Sequence, residues 1–454
     1  MASEKTRDPV QWLLGAFLAS LPLIRPSAFK VGSSPVALAD LLLPLVYLAW
    51  LVQTIRKRRP LRLDGLLIAT LVYIGVLAVS ALRGSEPLKT SLLKLAAYSM
   101  YLLLPSLVIR IVDSAEDLRR MLRAWLAGAT LAVLASAFGI VAWYVDREGV
   151  GRSFACPTYG LLPSGNFPRL CSSFVNPNMH CNYLVVSVAL GLAYGASELR
   201  RIHVVFLAGI ATIVAMFTLS AGFGGYLLMI AIVYWGASRQ RHEPVGLRHF
   251  AAAATAVGGA IFFTITMISV MVPRGEGHLS IGSRAVKLFD GSRWAIWSSS
   301  IDTIKRHPII GKGYSSYVAW SDDPKVFLSP DQIASGRGPA SAQLEAHNIW
   351  LNVAGQSGLI GLAAFGFVLY QIVRGLGPLA RTSFRSKLPL LPLLPVALIA
   401  ALVGGVAFHG LFGALEEGRH VWALFAVCAA AVHCLRAQEV EDVPTVQSNS
   451  KGTA

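Results

Sequence analysis

The sequence predicts an all-α integral membrane protein, and three observations carry that prediction. Hydrophobic residues make up 54% of the 454 residues and charged residues only 14%. Apolar runs long enough to cross a hydrocarbon layer of ~30 Å recur along the whole length. Lys and Arg gather in short clusters between those runs, as in cytoplasmic loops under the positive-inside rule. The net charge of +16 therefore reads as membrane topology and not as a nucleic-acid surface. An ordinary soluble domain is excluded.

The elements follow in order. Residues 10–24 form a first helix, ended by Arg25-Pro26. They are read as retained, because no small-residue cleavage site follows them. The second span is expected near 35–52, before the basic block Arg56-Lys57-Arg58-Arg59 with Arg62. The third lies near 66–82 and the fourth near 92–112, and the Arg-rich residues 113–123 read as a cytoplasmic loop. The fifth span ends near Tyr144, and the polar loop 145–173 follows. That loop holds Cys156 and Cys171, which permits a disulfide if it faces an oxidising compartment. Cys181, Cys428 and Cys434 fall in or beside apolar runs and read as plain helix residues.

The sixth span opens at Phe174-Val175-Asn176-Pro177-Asn178 and ends before Glu198-Leu199-Arg200-Arg201. The seventh, 202–219, turns at Ser220-Ala221-Gly222-Phe223-Gly224-Gly225 into the eighth, which runs to Arg239-Gln240-Arg241-His242. The ninth is expected at 251–271, the tenth from Ala346 to about Val373, the eleventh near 391–408 and the twelfth near 420–435. The chain thus divides into 1–271 with nine helices, an external loop 272–345, three helices in 346–436, and a polar, disordered cytoplasmic tail 437–454. Inside loops are dense in Lys and Arg over about a dozen crossings, which places both termini in the cytoplasm and the long loop outside.

That orientation sorts the polar residues by depth. Asp40, Lys94, Asn176, Asn178, His180, the Ser220 turn, His409, Glu416, Glu417, Arg419 and His420 all fall at the outer ends of spans. Any one of them reads as a helix-end side chain snorkelling to water. Their gathering at one face, beside the long loop, marks a functional site.

The chemistry centres on Gly291 to Gly361. Residues 292–307 read as a helix ended by Pro308, with Trp294, Trp297, Ile301 and Ile304 on one greasy face. Such a helix lies along the membrane surface or on the other spans. Arg293 sits in the first turn, where a cation is disfavoured by about 0.3–1 kcal/mol. It is either simply exposed, or it joins the free N–H groups in holding an anion such as a phosphate. Gly311-Lys312-Gly313 lacks the Ser or Thr of a Walker motif and reads as a turn with an incidental lysine. His347 begins the tenth span just after Glu345. Alone it reads as a polar anchor at the membrane edge. Kept neutral at a helix N-terminus, it can also accept a proton as a general base. Asn348 and Asn352 are one turn apart, able to bind a sugar or orient a group.

The run Gly291-Ser292-Arg293-Trp294, Ile301, His307-Pro308, Gly311-Lys312-Gly313, Ala346-His347-Asn348 and Gly355, Gly358 and Gly361 resembles the O-antigen ligase and polymerase family. Phe174-Val175-Asn176-Pro177-Asn178 looks like the family's Asn-Pro-Asn element. The resemblance implies a membrane glycosyltransferase with no cofactor, nucleotide sugar or metal. It moves a glycan from undecaprenyl pyrophosphate to an acceptor hydroxyl at the periplasmic face of the bacterial inner membrane. The acceptor is lipid A–core in ligases and another lipid-linked glycan in polymerases. His347 matches the family's essential loop histidine, the base toward the acceptor. Arg293 matches a loop arginine that holds the pyrophosphate. Asn348, Asn176 and Asn178 follow as substrate-binding residues.

The family often has Ser-Arg-Gly at the turn into the eighth span, whereas this chain has Ser220-Ala221-Gly222. A second cation then comes from elsewhere, with Lys94, Arg274 and Arg284 as candidates. Two other classes compete. About twelve spans also fit a transporter or flippase, but there is no internal repeat and the polar groups lie at one edge instead of the midplane. A non-catalytic member of a polysaccharide export complex is the third reading.

Overall fold

The computed structural model describes residues 8–25, 27, 29–31, 34–58, 60, 63–84, 87–146, 149–154, 169–174, 176–241, 246, 251, 255, 258–259, 279–281, 284–286, 291–322, 342–385 and 391–441. These residues are mostly helical. Six helices are long and apolar enough to cross a membrane: Leu38–Lys57, Leu88–Val108, Ala115–Val145, Pro177–Glu198, Ile349–Phe384 and Leu394–Leu411. Pro9–Ser20, Gly65–Ala81 and Ile202–Phe217 are shorter apolar helices. The span expected at 251–271 falls mostly outside the described residues.

In chain order the helices are α1 (Pro9–Ser20), α2 (Leu38–Lys57), α3 (Gly65–Ala81), α4 (Leu88–Val108), α5 (Ala115–Val145), α6 (Val150–Phe154) and α7 (Pro177–Glu198). Then come α8 (Arg201–Phe217), α9 (Phe223–Gln240), α10 (Gly291–Arg306), α11 (Ile349–Arg385), α12 (Leu394–Leu411) and α13 (Arg419–Glu441). Three antiparallel two-stranded ribbons pair β1 (Phe29–Val31) with β2 (Ser34–Val36), β3 (Leu279–Ile281) with β4 (Arg284–Val286), and β5 (Ala319–Ser321) with β6 (Ala342–Leu344).

Local sequence explains four of the helix starts. Asp8, Asp64, Ser114 and Asn176 cap α1, α3, α5 and α7 by accepting backbone N–H groups, and Pro9 and Pro177 stand in the first turns of α1 and α7. The Ser114 cap corrects one expectation. Residues 115–123 belong to the first turns of α5, where Glu116 and Asp117 suit the helix dipole. The first helix also stops earlier than expected, at Ser20.

Burial separates centre from rim. Along α13, Val421 to Cys428 are 0–1% exposed, so this helix is buried all round against α4, α5 and α11. On α2, by contrast, Leu48 and Ile55 are 58% and 67% exposed, an apolar face for lipid. Gly225 of α9 meets Gly404 of α12 backbone to backbone, and a Cβ at Gly225 would lie 2.2 Å from the Gly404 oxygen. Residues Leu402–Phe408 there form a π-helical stretch. The Asn182 amide donates to the Gly405 carbonyl at 2.6 Å, satisfying part of the widened ladder.

α10 keeps its expected bounds but packs differently. Ile296 is 3% exposed and packs with Ala319 of the β5–β6 ribbon, and Ser299 and Thr303 donate to the Trp320 and Val318 carbonyls. Trp294 is 70% exposed and Ile301 40%, so much of the expected apolar face points away from the protein. Exposed Ile309, Tyr317 and Trp320 extend that surface, a composition typical of a membrane interface.

Candidate functional site

The site rests on a break in α11. Gly358 has φ 70° and ψ −173°, so the tenth span does not run unbroken from Ala346 as expected. The helix starts at Ile349, breaks at Gly358, and continues to Arg385. A break interrupts the helical hydrogen-bond ladder around the turn before it. The loop after α10 takes up carbonyls there. Lys312 N–H donates to Gly355 O at 2.8 Å and Gly313 N–H to Gln356 O at 3.0 Å. The Ser80 hydroxyl adds a 2.6 Å bond to Gln356 O. In return, Leu359 N–H donates to Pro308 O at 2.8 Å.

Close backbone contact explains the glycines of Gly311-Lys312-Gly313. Gly311 has φ 78° and Gly313 φ 126°, and a Cβ on Gly313 would lie 2.2 Å from Gly84 Cα. Lys312 Nζ donates to the Tyr317 carbonyl at 2.8 Å. The motif is a backbone strap, as the turn reading expects.

His347 stands where this strap, the β5–β6 ribbon and α11 converge. Leu344, at the end of β6, pairs with Ala319 of β5, on which α10 packs. His347 follows three residues on, half-buried, with φ 49°. Left-handed backbone in a non-glycine residue is uncommon and clusters at functional sites. Both neighbours are held. Ala346 N–H donates to Asn352 Oδ1 at 3.1 Å, and Asn348 Oδ1 accepts from Trp350 N and Leu351 N at 3.0 and 3.1 Å.

Three carboxyls gather beside this turn: Glu345 before it, and Glu416 and Glu417 between α12 and α13. Glu416 is buried, and its Oε1 accepts from the Asn352 amide. Its carbonyl accepts from Tyr98 Oη and Trp422 Nε1, each at 2.6 Å. Tyr314 stacks on Tyr98 and donates to Glu417 Oε1 at 3.2 Å. Glu345 and Glu417 are exposed, and the protein packed around them strips part of their hydration. Lost hydration, then the charge of Glu417, pushes the Glu345 carboxyl up to about 7, opposed by Lys94. Burial and the charges of Glu345 and Glu417 push Glu416 well above the usual range. Lost hydration likewise raises Glu417, opposed by Tyr314 and Lys94.

A carboxyl held above its unfolded value stabilises the fold while protonated. For Glu345 this contribution is full below pH 4.5 and lost as the pH rises to about 7. Glu345→Gln is expected to remove that part of the decline, read as melting temperature against pH in detergent. Equal slopes for the two proteins refute the assignment.

Of the other residues singled out, Lys94 is exposed and donates to Ser315 Oγ at 2.8 Å. Asn176 caps α7 by accepting from Asn178 N at 2.7 Å. Asn178 Oδ1 accepts from Arg169 Nη2 at 3.0 Å. Asp40 makes a two-bond pair with Arg419 at 2.7 and 2.5 Å, and also accepts from Tyr101. His420 meets Asn182 at 2.8 Å, His180 stacks on Phe174, and His409 fills the space over Gly222. The backbone of Arg293 lies in the first turn of α10, and α10 packs on α11. Arg284 lies in β4, and Arg274 lies outside the described residues. Cys171 is disulfide-bonded, Cys181, Cys428 and Cys434 are free and buried, and Cys156 lies outside the described residues.

Three residues were not picked out from the sequence. Tyr98 and Tyr314 look like ordinary aromatic residues of a span and a loop. Arg169 is buried and donates to the Thr218 carbonyl at 2.9 Å. It thereby brings a cation to the Ser220 turn, which has no arginine of its own. A lone Arg in a polar loop gives no local signal of this.

Comparison with curated proteins finds no match. Residues 204–366 match the O-antigen ligase family, a range that includes Arg293, the strap and His347 but not Lys94, Glu416 or Glu417. The apolar helices and this domain together indicate a bacterial membrane protein with O-antigen ligase- or polymerase-like activity. The match identifies an O-antigen ligase domain in the chain and supports the O-antigen ligase and polymerase family, the one its motifs resemble.

Proposed function

We propose that the protein transfers a glycan from undecaprenyl pyrophosphate to an acceptor hydroxyl at the periplasmic face of the inner membrane, with both termini in the cytoplasm. The observation that carries this reading is His347, held in a left-handed turn two residues past exposed Glu345, with Ala346 joined through Asn352 to Glu416. Neutral His347 takes the proton of the acceptor hydroxyl. The oxygen attacks the anomeric carbon of the donor sugar. The bond from that carbon to the pyrophosphate oxygen breaks, and undecaprenyl pyrophosphate leaves with the electron pair. Diphosphate is a good leaving group, so positioning and charge neutralisation suffice.

Charge divides the site. Glu345 and Glu417 accept hydrogen bonds from sugar hydroxyls and disfavour a diphosphate nearby, so their side of the turn is the acceptor side. Arg293, at the N-terminal turn of α10, serves the diphosphate with the free N–H groups there. Asn348, Asn176 and Asn178 line or support the glycan path, and Lys94, Arg284 and Arg274 supply further positive charge.

Deletion of the gene tests the reading. Full-length polymer left on the lipid carrier identifies a ligase, and surface glycans of single repeats identify a polymerase. Unchanged surface polysaccharide, with small-solute flux in vesicles reconstituted with the protein, refutes both and returns the transporter reading.

A further inference from the structure

The residue before His347 is clamped from a distance. Ala346 is fully buried, and its N–H donates to Asn352 Oδ1 at 3.1 Å. That bond fixes the amide orientation, because a backbone N–H must face the oxygen. The Asn352 NH₂ therefore faces Glu416 Oε1 and donates to it. Glu416 is anchored in turn, its carbonyl accepting from Tyr98 of α4 and Trp422 of α13. Asn352 N–H also donates to Asn348 O at 2.9 Å, within the turn that follows His347.

We infer that Asn352 and Glu416 form a positioning pair that holds the left-handed turn of His347, joining the broken helix α11 to the loop between α12 and α13. The inference rests on the base role proposed for His347. Neither residue touches the reacting atoms. The pair works because each hydrogen bond has only one sense. Asn352 accepts from the backbone on one side and donates to a carboxyl on the other, and leaving either buried group unpaired costs a desolvated donor or acceptor. Leu or Ala at position 352 cannot satisfy both sides, and Asp does so only while it shares a proton with Glu416.

Asn352→Asp tests the pair without changing side-chain size. It keeps the acceptor for Ala346 but turns a second carboxyl toward Glu416. Washed membranes of a deletion strain carrying each variant, with the strain's own lipid-linked glycan and acceptor, report transfer against pH. At the alkaline end of the profile, where the two carboxyls no longer share a proton, transfer is expected to fall at least about tenfold, the effect of roughly 1.4 kcal/mol. The ratio to the unaltered protein rises as pH falls, because one proton shared between the two carboxyls restores a donor. The groups facing Glu416 that also titrate or carry charge are Glu345, Glu417, Tyr73, Tyr98 and Tyr314, with Lys94 acting on the first two. All are common to both proteins, so the ratio isolates position 352.

Adding Glu416→Gln to Asn352→Asp reverses the donor and acceptor. The amide introduced at position 416 then donates to the carboxylate introduced at position 352, and transfer at that alkaline pH recovers. Asn352→Asp at the unaltered level, or a double variant that transfers or accumulates no better than Asn352→Asp, overturns the inference. His347→Asn in the same membranes separates the two proposals. If it transfers normally, the base role itself is wrong. If it is inactive while the swap has no effect, only the positioning pair is wrong.

Discussion

His347→Asn is expected to reduce glycan transfer by at least about 10²-fold while leaving the protein folded. A positioned general base contributes typically about 10²–10⁴-fold. Asparagine is chosen over alanine for a physical reason. His347 has φ 49°, a region where Asn is among the best-tolerated side chains and Ala is not. The Asn variant keeps a polar, half-buried residue in the same backbone conformation and removes only the ability to take a proton near neutral pH. Yield in the membrane and melting temperature in detergent check the fold, and transfer from lipid-linked glycan checks the chemistry. Normal chain-length polymer at the cell surface with His347→Asn would falsify the base assignment.

Gly358→Ala is expected to have the largest effect on stability. Its φ 70° and ψ −173° lie in a region that is essentially glycine-only. The added methyl would also sit 2.1 Å from the Ile309 carbonyl oxygen. Backbone strain and overpacking each cost about 1–3 kcal/mol. Relief requires Ile309 to retreat, which pulls apart the strap bonds at Pro308, Lys312 and Gly313. The variant is therefore expected to lose about 3 kcal/mol or more, a large share of a typical stability of about 5–15 kcal/mol and enough to cut accumulation several-fold. Gly366→Ala is the matched control. Its Cβ position has nothing within 4 Å, and Ala in a helix is favoured by roughly 1 kcal/mol over Gly. Equal yields for the two variants would show that the break at Gly358 is not obligatory.

These two glycines show how far local reading reaches. Both look alike in the sequence, small residues in one apolar run. Nothing in the run states that one is a break and the other an ordinary helical position. The break becomes apparent only when the loop after α10 is laid against it, because that loop takes up exposed carbonyls. Arg169 and Tyr314 make the same point. Their types are ordinary in their own segments, and their roles come from Thr218, Asn178 and Glu417.

What the sequence by itself determined was short-range. Run length and composition specify apolar helices, because a hydrocarbon layer admits few other backbones. Phe174 to Asn178 opens the sixth span as read, because the Asn176 cap bonds only two residues ahead. The gathering of Lys94, Glu416 and Glu417 toward one side was also legible from their positions at span ends. The tertiary structure alone decided which of these groups touch. Tyr98 and Glu416 are bonded across 318 residues of chain, and Asn352 and Glu416 across 64. No local pattern encodes such pairings. They depend on which helices pack side by side, and so on the shapes of buried surfaces that only the folded chain brings together.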